Sequence, residues 1–153
     1  MKTILAPVDF SSVTERVITE ASALARSFDG RIVLLNVTQP VAIGADAAGF
    51  VENIDEINKA AARDAARKLA ALEDGLEASF LKADSVQLMG VPAVLISEQA
   101  KQLGADYIVM GSHGHTAFYD LLVGSTASAV LKRAPCPVLV VPPPPKQTGK
   151  SKR

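Results

Sequence analysis

Gly111-Ser112-His113-Gly114 and, after nine further residues, Gly124-Ser125 form the stretch from which the fold of this chain can be inferred. The short apolar segment 105–110 precedes the stretch and has the composition of a buried strand. Residues 126–133 follow it with the pattern of a helix. The glycines are therefore expected where a strand ends and a helix begins, which is where parallel α/β sheets bind phosphate.

The chemistry of phosphate binding explains these residue types. Phosphate oxygens require close approach of backbone N–H groups, and glycine has no Cβ to prevent it. Gly111 and Gly114 can adopt positive φ and form an anion-binding nest, and Gly124 lets the second arm come equally close. Ser125 would add a hydroxyl and an amide at a helix N-terminus, where the macrodipole favours negative charge. The alternative is an ordinary glycine loop with a helix cap; the pattern is neither a P-loop nor the dinucleotide turn.

The spacing G-x-x-G-x9-G-S, followed by Ala-Pro-Cys-Pro at 134–137 and Val-Leu-Val-Val at 138–141, resembles the universal stress protein family. More closely, it resembles the ATP-binding branch of that family. Residues 4–12 are similar to the family's first strand and turn, and residues 104–111 to its fourth strand. The resemblance implies ATP held with Mg²⁺ or Mn²⁺, and a regulatory, stress-response role with little catalysis. It also implies a homodimer through the last strand, residues 138–141, or a tetramer.

Site residues are expected at three strand ends and at the start of the last helix. Asp9 follows the first strand on the same rim as Gly111, and is a candidate for ribose or a phosphate-bound metal, or else a simple turn former. Val37 ends the next strand and is either a wall of an adenine pocket or ordinary core. By analogy with the family, adenosine lies near Pro7, Asp9 and Val37. The predicted set is Pro7, Asp9, Val37, Gly111, Ser112, His113, Gly114, His115, Thr116, Gly124, Ser125 and Thr126.

The same residues give little indication of a metal centre or of catalysis. His113 and His115 are the only histidines and have no thiol or acidic neighbours in sequence, whereas zinc sites need three or four ligands. We therefore expect them to donate to phosphate or to be exposed, with Asp9 meeting at most a phosphate-bound Mg²⁺. No lysine or arginine lies between Met110 and Leu131, so we expect no catalytic residue and at most slow ATP hydrolysis. A slow ATPase or phosphotransferase and a nucleotide-free interaction module are the alternatives.

Length and composition indicate one globular domain. The chain has 153 residues, 48% of them hydrophobic and 21% charged, and no apolar run approaches the ~20 residues of a membrane helix. Cys136 is the only cysteine, so no internal disulfide forms and a cytoplasmic location is expected. Residues 1–141 are predicted to form the domain, and 142–153 a proline-rich, then basic, flexible tail. That tail holds four of the 16 basic groups and no acid, so the body is mildly acidic, which argues against a nucleic-acid surface.

Five strands alternating with four helices predict an α/β fold. The expected class is an open, doubly wound, five-stranded parallel sheet with helices on both faces, Rossmann-like and, by resemblance, of the adenine-nucleotide α-hydrolase type. Ser11 or Ser12 is predicted to cap the first helix. The second helix is expected over residues 51–72, ended by Asp74-Gly75. The third strand is expected within residues 76–88, with a bulge or an early end at 83–85.

Overall fold

The apolar runs form the strands of one parallel sheet in a computed structural model, which describes residues 1–41, 53–115 and 122–145. Strands and helices alternate along these residues. The elements are β1 (Thr3–Pro7), α1 (Thr14–Ser27), β2 (Arg31–Thr38), α2 (Ile54–Ala78), β3 (Lys82–Met89), α3 (Pro92–Leu103), β4 (Tyr107–Gly111), α4 (Ser125–Arg133) and β5 (Val138–Val141).

The order of the strands creates a crevice beside β1. The sheet runs β3-β2-β1-β4-β5 and every pairing is parallel. The chain winds from β1 through β2 to β3 on one side, and then crosses to β4 and β5 on the other. Connections that leave β1 and β4 on opposite sides open a crevice at their carboxyl ends, which is where ligands bind in such sheets. The predicted fold class is confirmed.

Two hydrophobic clusters hold the helices on opposite faces of this sheet. Successive residues of β1 alternate between them, because side chains in a strand point to opposite faces in turn. Ile4 packs with Val17 of α1 and Leu69 of α2, whereas Leu5 packs with Ile96 of α3 and Val130 of α4. Fully burying one such aliphatic side chain stabilises a fold by about 1.5–3 kcal/mol, so both layers contribute strongly.

The start of α1 differs from the prediction that Ser11 or Ser12 caps it. Val13 is the N-cap residue and no side chain makes a capping hydrogen bond. The Ser11 carbonyl instead accepts from the backbone N–H of Thr14 at 3.1 Å, and Phe10 has a φ of 60°. A backbone turn therefore begins this helix, and the prediction was wrong because a turn satisfied the donor that a serine hydroxyl would have bound.

The second helix does not end at Asp74-Gly75, as the sequence suggested. It continues through Gly75 to Ala78, and Leu76 is only 4% exposed. Glycine inside a helix costs about 1 kcal/mol relative to alanine. Burial of Leu76 offsets that cost, so tertiary packing overrides the local breaker.

The expected bulge in the third strand is also absent from the described residues. All eight residues of β3 pair in register with β2, from Lys82 opposite Arg31 to Met89 opposite Thr38. Ala83 faces the core whereas Asp84 points outward and forms an ion pair with Arg31 at 3.4 Å. The polar residues at 84 and 85 thus lie on a regular edge strand.

Two further expectations concern the chain as a whole. The boundary predicted after residue 141 stays a prediction, because residues 146–153 lie outside the described part of the chain. Among the helices that the structure describes, none combines the length and the apolar character that a bilayer span requires.

Candidate functional site

A pocket of about 490 Å³ opens at the carboxyl ends of β1, β2 and β4, beside the first turn of α4. This volume lies within the range of small-molecule sites. Every predicted site residue that the structure describes lines it, and Thr116 lies outside the described residues. The predicted residues at the pocket are Pro7, Asp9, Val37, Gly111, Ser112, His113, Gly114, His115, Gly124, Ser125 and Thr126.

Ser112 joins the two arms of the glycine pattern. Its backbone N–H donates to the Val141 carbonyl at 2.8 Å, and its own carbonyl accepts from the Gly124 N–H at 2.7 Å. Ser112 as a whole is buried, with 5% of its surface exposed, so water competes little with these backbone bonds. The end of β4, the end of β5 and the start of α4 are therefore fixed against one another, although nine residues separate Gly114 from Gly124.

Close packing, and not positive φ, explains the three glycines. Positive φ is found in the described glycines only at positions 90 and 104, so a nest built on positive φ at Gly111 and Gly114 is not formed. A Cβ on Gly111 would lie 2.5 Å from Val13 Cγ1, and one on Gly124 would lie 3.0 Å from the Ser112 carbonyl. A Cβ on Gly114 would overlap the Asp9 carboxylate. The prediction of positive φ at Gly111 and Gly114 was therefore wrong, and the space at these positions is filled by other atoms of the chain.

Asp9 contacts the glycine loop as the topology predicted. Its carboxylate accepts from the Ser11 backbone N–H at 3.0 Å, which fixes one oxygen. Its backbone carbonyl lies 2.6 Å from Nε2 of His115. Since a carbonyl can only accept, this contact requires a proton on Nε2 of His115. The carboxylate is thereby held at the rim, beside Gly114.

The two histidines occupy different surroundings at the pocket. Nδ1 of His113 lies 2.9 Å from the Ser112 hydroxyl, whereas His115 is turned toward Asp9. Within residues 1–41, 53–115 and 122–145, no three His, Cys, Asp or Glu side chains are grouped so that they could hold a metal ion. Beside the glycine loop the site can offer a cation the carboxylate of Asp9, which suits a Mg²⁺ ion carried mainly by phosphate oxygens.

Sequence reasoning missed several walls of the pocket. Asn36 is buried inside an otherwise apolar strand, where its side-chain amide donates to the Val8 carbonyl at 2.9 Å and ties β2 to the end of β1. Thr14 is 7% exposed, and its hydroxyl has no hydrogen-bond partner within the described residues. Asn36 could have been identified from the sequence, because it is a polar residue within an apolar strand. The other missed lining residues include Phe10, Asp64, Pro92 and Ile96.

One charged wall of the pocket comes from α2. Asp64 bonds to Lys68 Nζ and Arg67 Nη2, each at 2.7 Å, and these hydrogen bonds, that of Lys68 first, hold the pKa of Asp64 below its usual value. The Lys68 ammonium also lies 5.6 Å from the centre of the Phe10 ring, within cation–π range. From the sequence, the charges on α2 suggest only a solvated face. Which of them reaches the pocket depends on how α2 packs against the sheet, and the sequence pattern does not give this.

Comparison with known proteins identifies the family. The model of the universal stress protein family matches residues 1–142. Universal stress protein MJ0531 of Methanocaldococcus jannaschii is 36% identical over 147 residues, covering 95% of this chain and 85% of that protein. The solved structure of MJ0577 from the same organism has a TM-score of 0.80 at 29% identity and covers 94% of this chain and 97% of its own. The solved structure of UspA from Lactobacillus plantarum has a TM-score of 0.81 at 28% identity. It covers 92% of this chain and 97% of its own.

Two more distant structures share the fold and contain adenine nucleotides. One is a universal stress protein in complex with cAMP, with a TM-score of 0.68 at 19% identity and coverage of 94% and 98%. The other is from Archaeoglobus fulgidus in complex with dAMP, with a TM-score of 0.64 at 22% and coverage of 92% and 97%. At these identities the likeness establishes the fold alone. Sequence, sheet order and family match agree, and this chain belongs to the universal stress protein family.

Proposed function

We propose that this protein binds ATP in the rim pocket, and that binding itself, with little turnover, is its output in a stress response. The observation that carries the proposal is the joining of Gly111–Gly114 to Gly124-Ser125 through the two hydrogen bonds of Ser112. These residues converge on a pocket whose other walls include the ends of β1 and β2. The spacing of the glycines, which resembles that of the ATP-binding branch of the family, supports the same ligand.

The triphosphate is proposed to lie along the glycine arms and the start of α4. Backbone N–H groups of Ser125 and of the rest of the first turn of α4 provide donors and the positive end of a helix dipole, whereas the Gly124 N–H is bound to the Ser112 carbonyl. Ser112, His113, Gly114, His115, Thr116 and Thr126 complete this end of the proposed site. Adenosine is proposed to lie near Pro7, Asp9 and Val37, where the Val37 side chain is half-buried at the end of β2.

A divalent cation fits this proposal only through the nucleotide. Asp9 offers one carboxylate, so Mg²⁺ or Mn²⁺ would be held chiefly by phosphate oxygens. Hydrolysis is expected to be slow, since phosphoryl transfer requires a positioned base and a cation at the γ-phosphate, and the sequence from Gly111 to Val130 contains no lysine or arginine.

Calorimetric titration of the purified protein with ATP, with and without Mg²⁺, tests the proposal. We expect the wild type to bind ATP and the Gly124→Val variant to lose measurable binding, because a valine side chain would occupy the space beside the Ser112 carbonyl. AMP and GTP titrations show whether the triphosphate and the adenine are each recognised. Thermal unfolding of both proteins provides the control for folding.

Three results would overturn the proposal. The first is a folded Gly124→Val protein that binds ATP as tightly as wild type. The second is turnover near the ordinary enzyme median of roughly 10 s⁻¹, which would make this protein an ATPase rather than a binding protein. A wild type that binds a protein partner but no nucleotide would favour the interaction-module alternative.

A further inference from the structure

We propose that Thr14 of α1 recognises the base of the bound nucleotide, with its buried hydroxyl hydrogen-bonded to the base in a part of the rim pocket between α1 and α2. The inference rests on the proposed function and adds to it a residue that binds the base. It follows from the course of the pocket, from the surroundings of the Thr14 hydroxyl, and from the charges along the pocket.

The pocket reaches both faces of the sheet. Ile96 and Met110, which line it, belong to the hydrophobic cluster under α3 and α4, whereas Val17, which also lines it, belongs to the cluster under α1 and α2. We call the part on the second face the α1/α2 extension. Its described lining includes Thr14 and Val17 of α1, Asn36 and Thr38 of β2, and Ala61 and Ala65 of α2.

The extension adjoins the end of the pocket that is proposed to hold adenosine. Asn36 and Val37 alternate along β2, and Val37 packs on the α3 and α4 side, so Asn36 faces α1 and α2. The Asn36 amide donates to the Val8 carbonyl at 2.9 Å, directly before Asp9. A nucleoside near Asp9 and Val37 therefore lies at the opening of the α1/α2 extension.

The Thr14 hydroxyl is buried in this extension without a partner. Thr14 is 7% exposed, and its hydroxyl makes no hydrogen bond to the residues that the structure describes. By contrast, the side-chain oxygen of Asn36 accepts from the Thr38 hydroxyl at 3.2 Å. An unpaired buried hydroxyl costs free energy, because it has lost its hydrogen bonds to water. A ligand in the extension would recover that cost, since a hydroxyl can both donate and accept.

The chemistry of the extension suits a base rather than a phosphate. Val17, Ala61 and Ala65 give it apolar walls, and Asp64 places a carboxylate beside them. No lysine or arginine is among the described residues that line the pocket, so a phosphate here would meet a carboxylate instead of a cation. The ring of a base can pack on apolar walls and place a polar edge atom against Thr14. The triphosphate then remains at the glycine arms and the N-terminus of α4.

Two variants of Thr14 and one matched control test the inference. Thr14→Val removes the hydroxyl and keeps the branched shape, whereas Thr14→Ser keeps the hydroxyl. The control is Thr3→Val, because Thr3 is 8% exposed but its hydroxyl accepts from Arg31 Nε at 3.2 Å, at the end of β1 away from the pocket. Calorimetry measures the affinity for ATP, adenosine and inorganic triphosphate. Thermal unfolding without nucleotide measures stability.

Thr14→Val should bind ATP and adenosine about tenfold more weakly than wild type, because one hydrogen bond to the base is lost. Its affinity for inorganic triphosphate should be unchanged. Without nucleotide, its unfolding midpoint should equal or exceed that of wild type, since the hydroxyl that is removed has no partner in the described part of the chain. Thr3→Val should show the reverse, with a lower midpoint and unchanged affinities. Thr14→Ser should bind ATP within about threefold of wild type.

ATP analogues show which part of the nucleoside the hydroxyl contacts. Analogues that each lack one polar atom of the base (N1, N3, N7 or the exocyclic amine) are titrated into wild type and Thr14→Val. For one of them the two proteins should bind equally, because the partner of the hydroxyl is gone. With 2′-deoxy-ATP and 3′-deoxy-ATP the difference of about tenfold should remain.

Four outcomes would overturn the inference while leaving ATP binding intact. The first two are an unchanged ATP affinity in Thr14→Val, and a fall in its unfolding midpoint like that of Thr3→Val. The third is a difference that disappears with a deoxy analogue, which would assign the hydroxyl to the ribose. The fourth is a difference that persists with every base analogue. A wild type that does not bind ATP overturns the proposed function, and this inference with it.

Discussion

Any side chain at position 114 would occupy the same space as the Asp9 carboxylate at the rim of the pocket. A Cβ on Gly114 would overlap an oxygen of the Asp9 carboxylate, and that carboxylate is otherwise held by the Ser11 N–H. Because Asp9 is exposed, its side chain can rotate away at little cost to folding. We therefore expect Gly114→Ala to remain folded, with the carboxylate displaced, and to lose ATP affinity by on the order of tenfold if Asp9 contacts the nucleotide or its metal.

A double-mutant cycle measures this coupling. Calorimetry on wild type, Gly114→Ala, Asp9→Ala and the double variant should show that Gly114→Ala costs much less affinity once Asp9 is absent, since contacting residues are non-additive. Equal losses in both backgrounds would mean that Gly114 acts on the ligand directly and not through Asp9.

The hydrogen bonds of Asp106 should make the stability of the fold depend on pH. Asp106 lies just before β4, at the end of the sheet opposite the pocket. It accepts from Lys2 Nζ at 2.7 Å and from the Thr3 N–H at 2.8 Å, and these two hydrogen bonds, that of Lys2 first, hold the pKa of Asp106 below its usual value. A carboxyl whose folded pKa is lowered stabilises the fold above its unfolded pKa, and this stabilisation is lost as the pH falls through the folded value.

Urea unfolding of wild type and Asp106→Asn should therefore differ at neutral pH, with the wild type more stable. The difference in the free energy of unfolding should shrink as the pH falls below the usual pKa of an aspartate and through the lowered pKa of Asp106. A difference that stays constant to low pH would show that the contacts of residue 106 stabilise the fold without depending on its charge.

At the level of elements, two glycines have contrasting surroundings. Alanine substitutions there distinguish the effect of side-chain packing on stability from the effect of backbone propensity. Gly75 lies in α2 with nothing within 4 Å of the position that an added Cβ would take, so Gly75→Ala should raise the free energy of unfolding by about 0.5–1 kcal/mol. Gly111 ends β4 with Val13 Cγ1 at 2.5 Å from the corresponding position, so Gly111→Ala should lower it by about 1–3 kcal/mol. Chemical denaturation of both variants measures whether the free energy of unfolding rises or falls in each. A stabilised Gly111→Ala variant would contradict the close packing at the loop.

Strands buried on both faces were predictable because an uninterrupted apolar run is a local signal. This applies to β1, β2 and β4. The apolar run of β5 was equally visible in the sequence although this strand lies at an edge, and the alternation of strands with helices predicted a parallel sheet. The errors arose where a distant contact decides the structure. The start of α1 depends on a backbone turn, α2 passes Gly75 because Leu76 is buried, and β3 is regular because it pairs along β2.

In the candidate site, too, residues with a local sequence signal could be predicted and those placed by distant contacts could not. Residues at strand ends and in the glycine loop could be predicted, since the topology of a parallel sheet brings carboxyl ends to one rim. Thr14 of α1 and Asp64 of α2 could not, because nothing in the sequence fixes how these helices lie against the crevice. The three glycines were identified from phosphate chemistry, yet their Cβ positions are filled by this chain's own atoms.

For the whole molecule, the sheet order leaves β5 at one edge and β3 at the other. This position leaves one side of β5 open to pairing, and the dimer through residues 138–141 stays a prediction. Leu139 is 39% exposed, while Val141 is 2% exposed and belongs to the core. A test of assembly must therefore change Leu139 and leave Val141 intact, since a lysine at Val141 would enter the core and unfold the protein.

We expect Leu139→Lys to convert a dimer into a monomer. An apolar edge strand presents unpaired N–H and C=O groups, and pairing with the same strand of a second copy about a two-fold axis would satisfy them. Lysine on that edge both repels its symmetry mate and cannot be buried without cost. Met89→Lys places the same charge on the exposed end of β3, at the opposite edge, and serves as the control. Sedimentation equilibrium should show a dimer for wild type and Met89→Lys and a monomer for Leu139→Lys; a dimer in all three would place the interface away from β5.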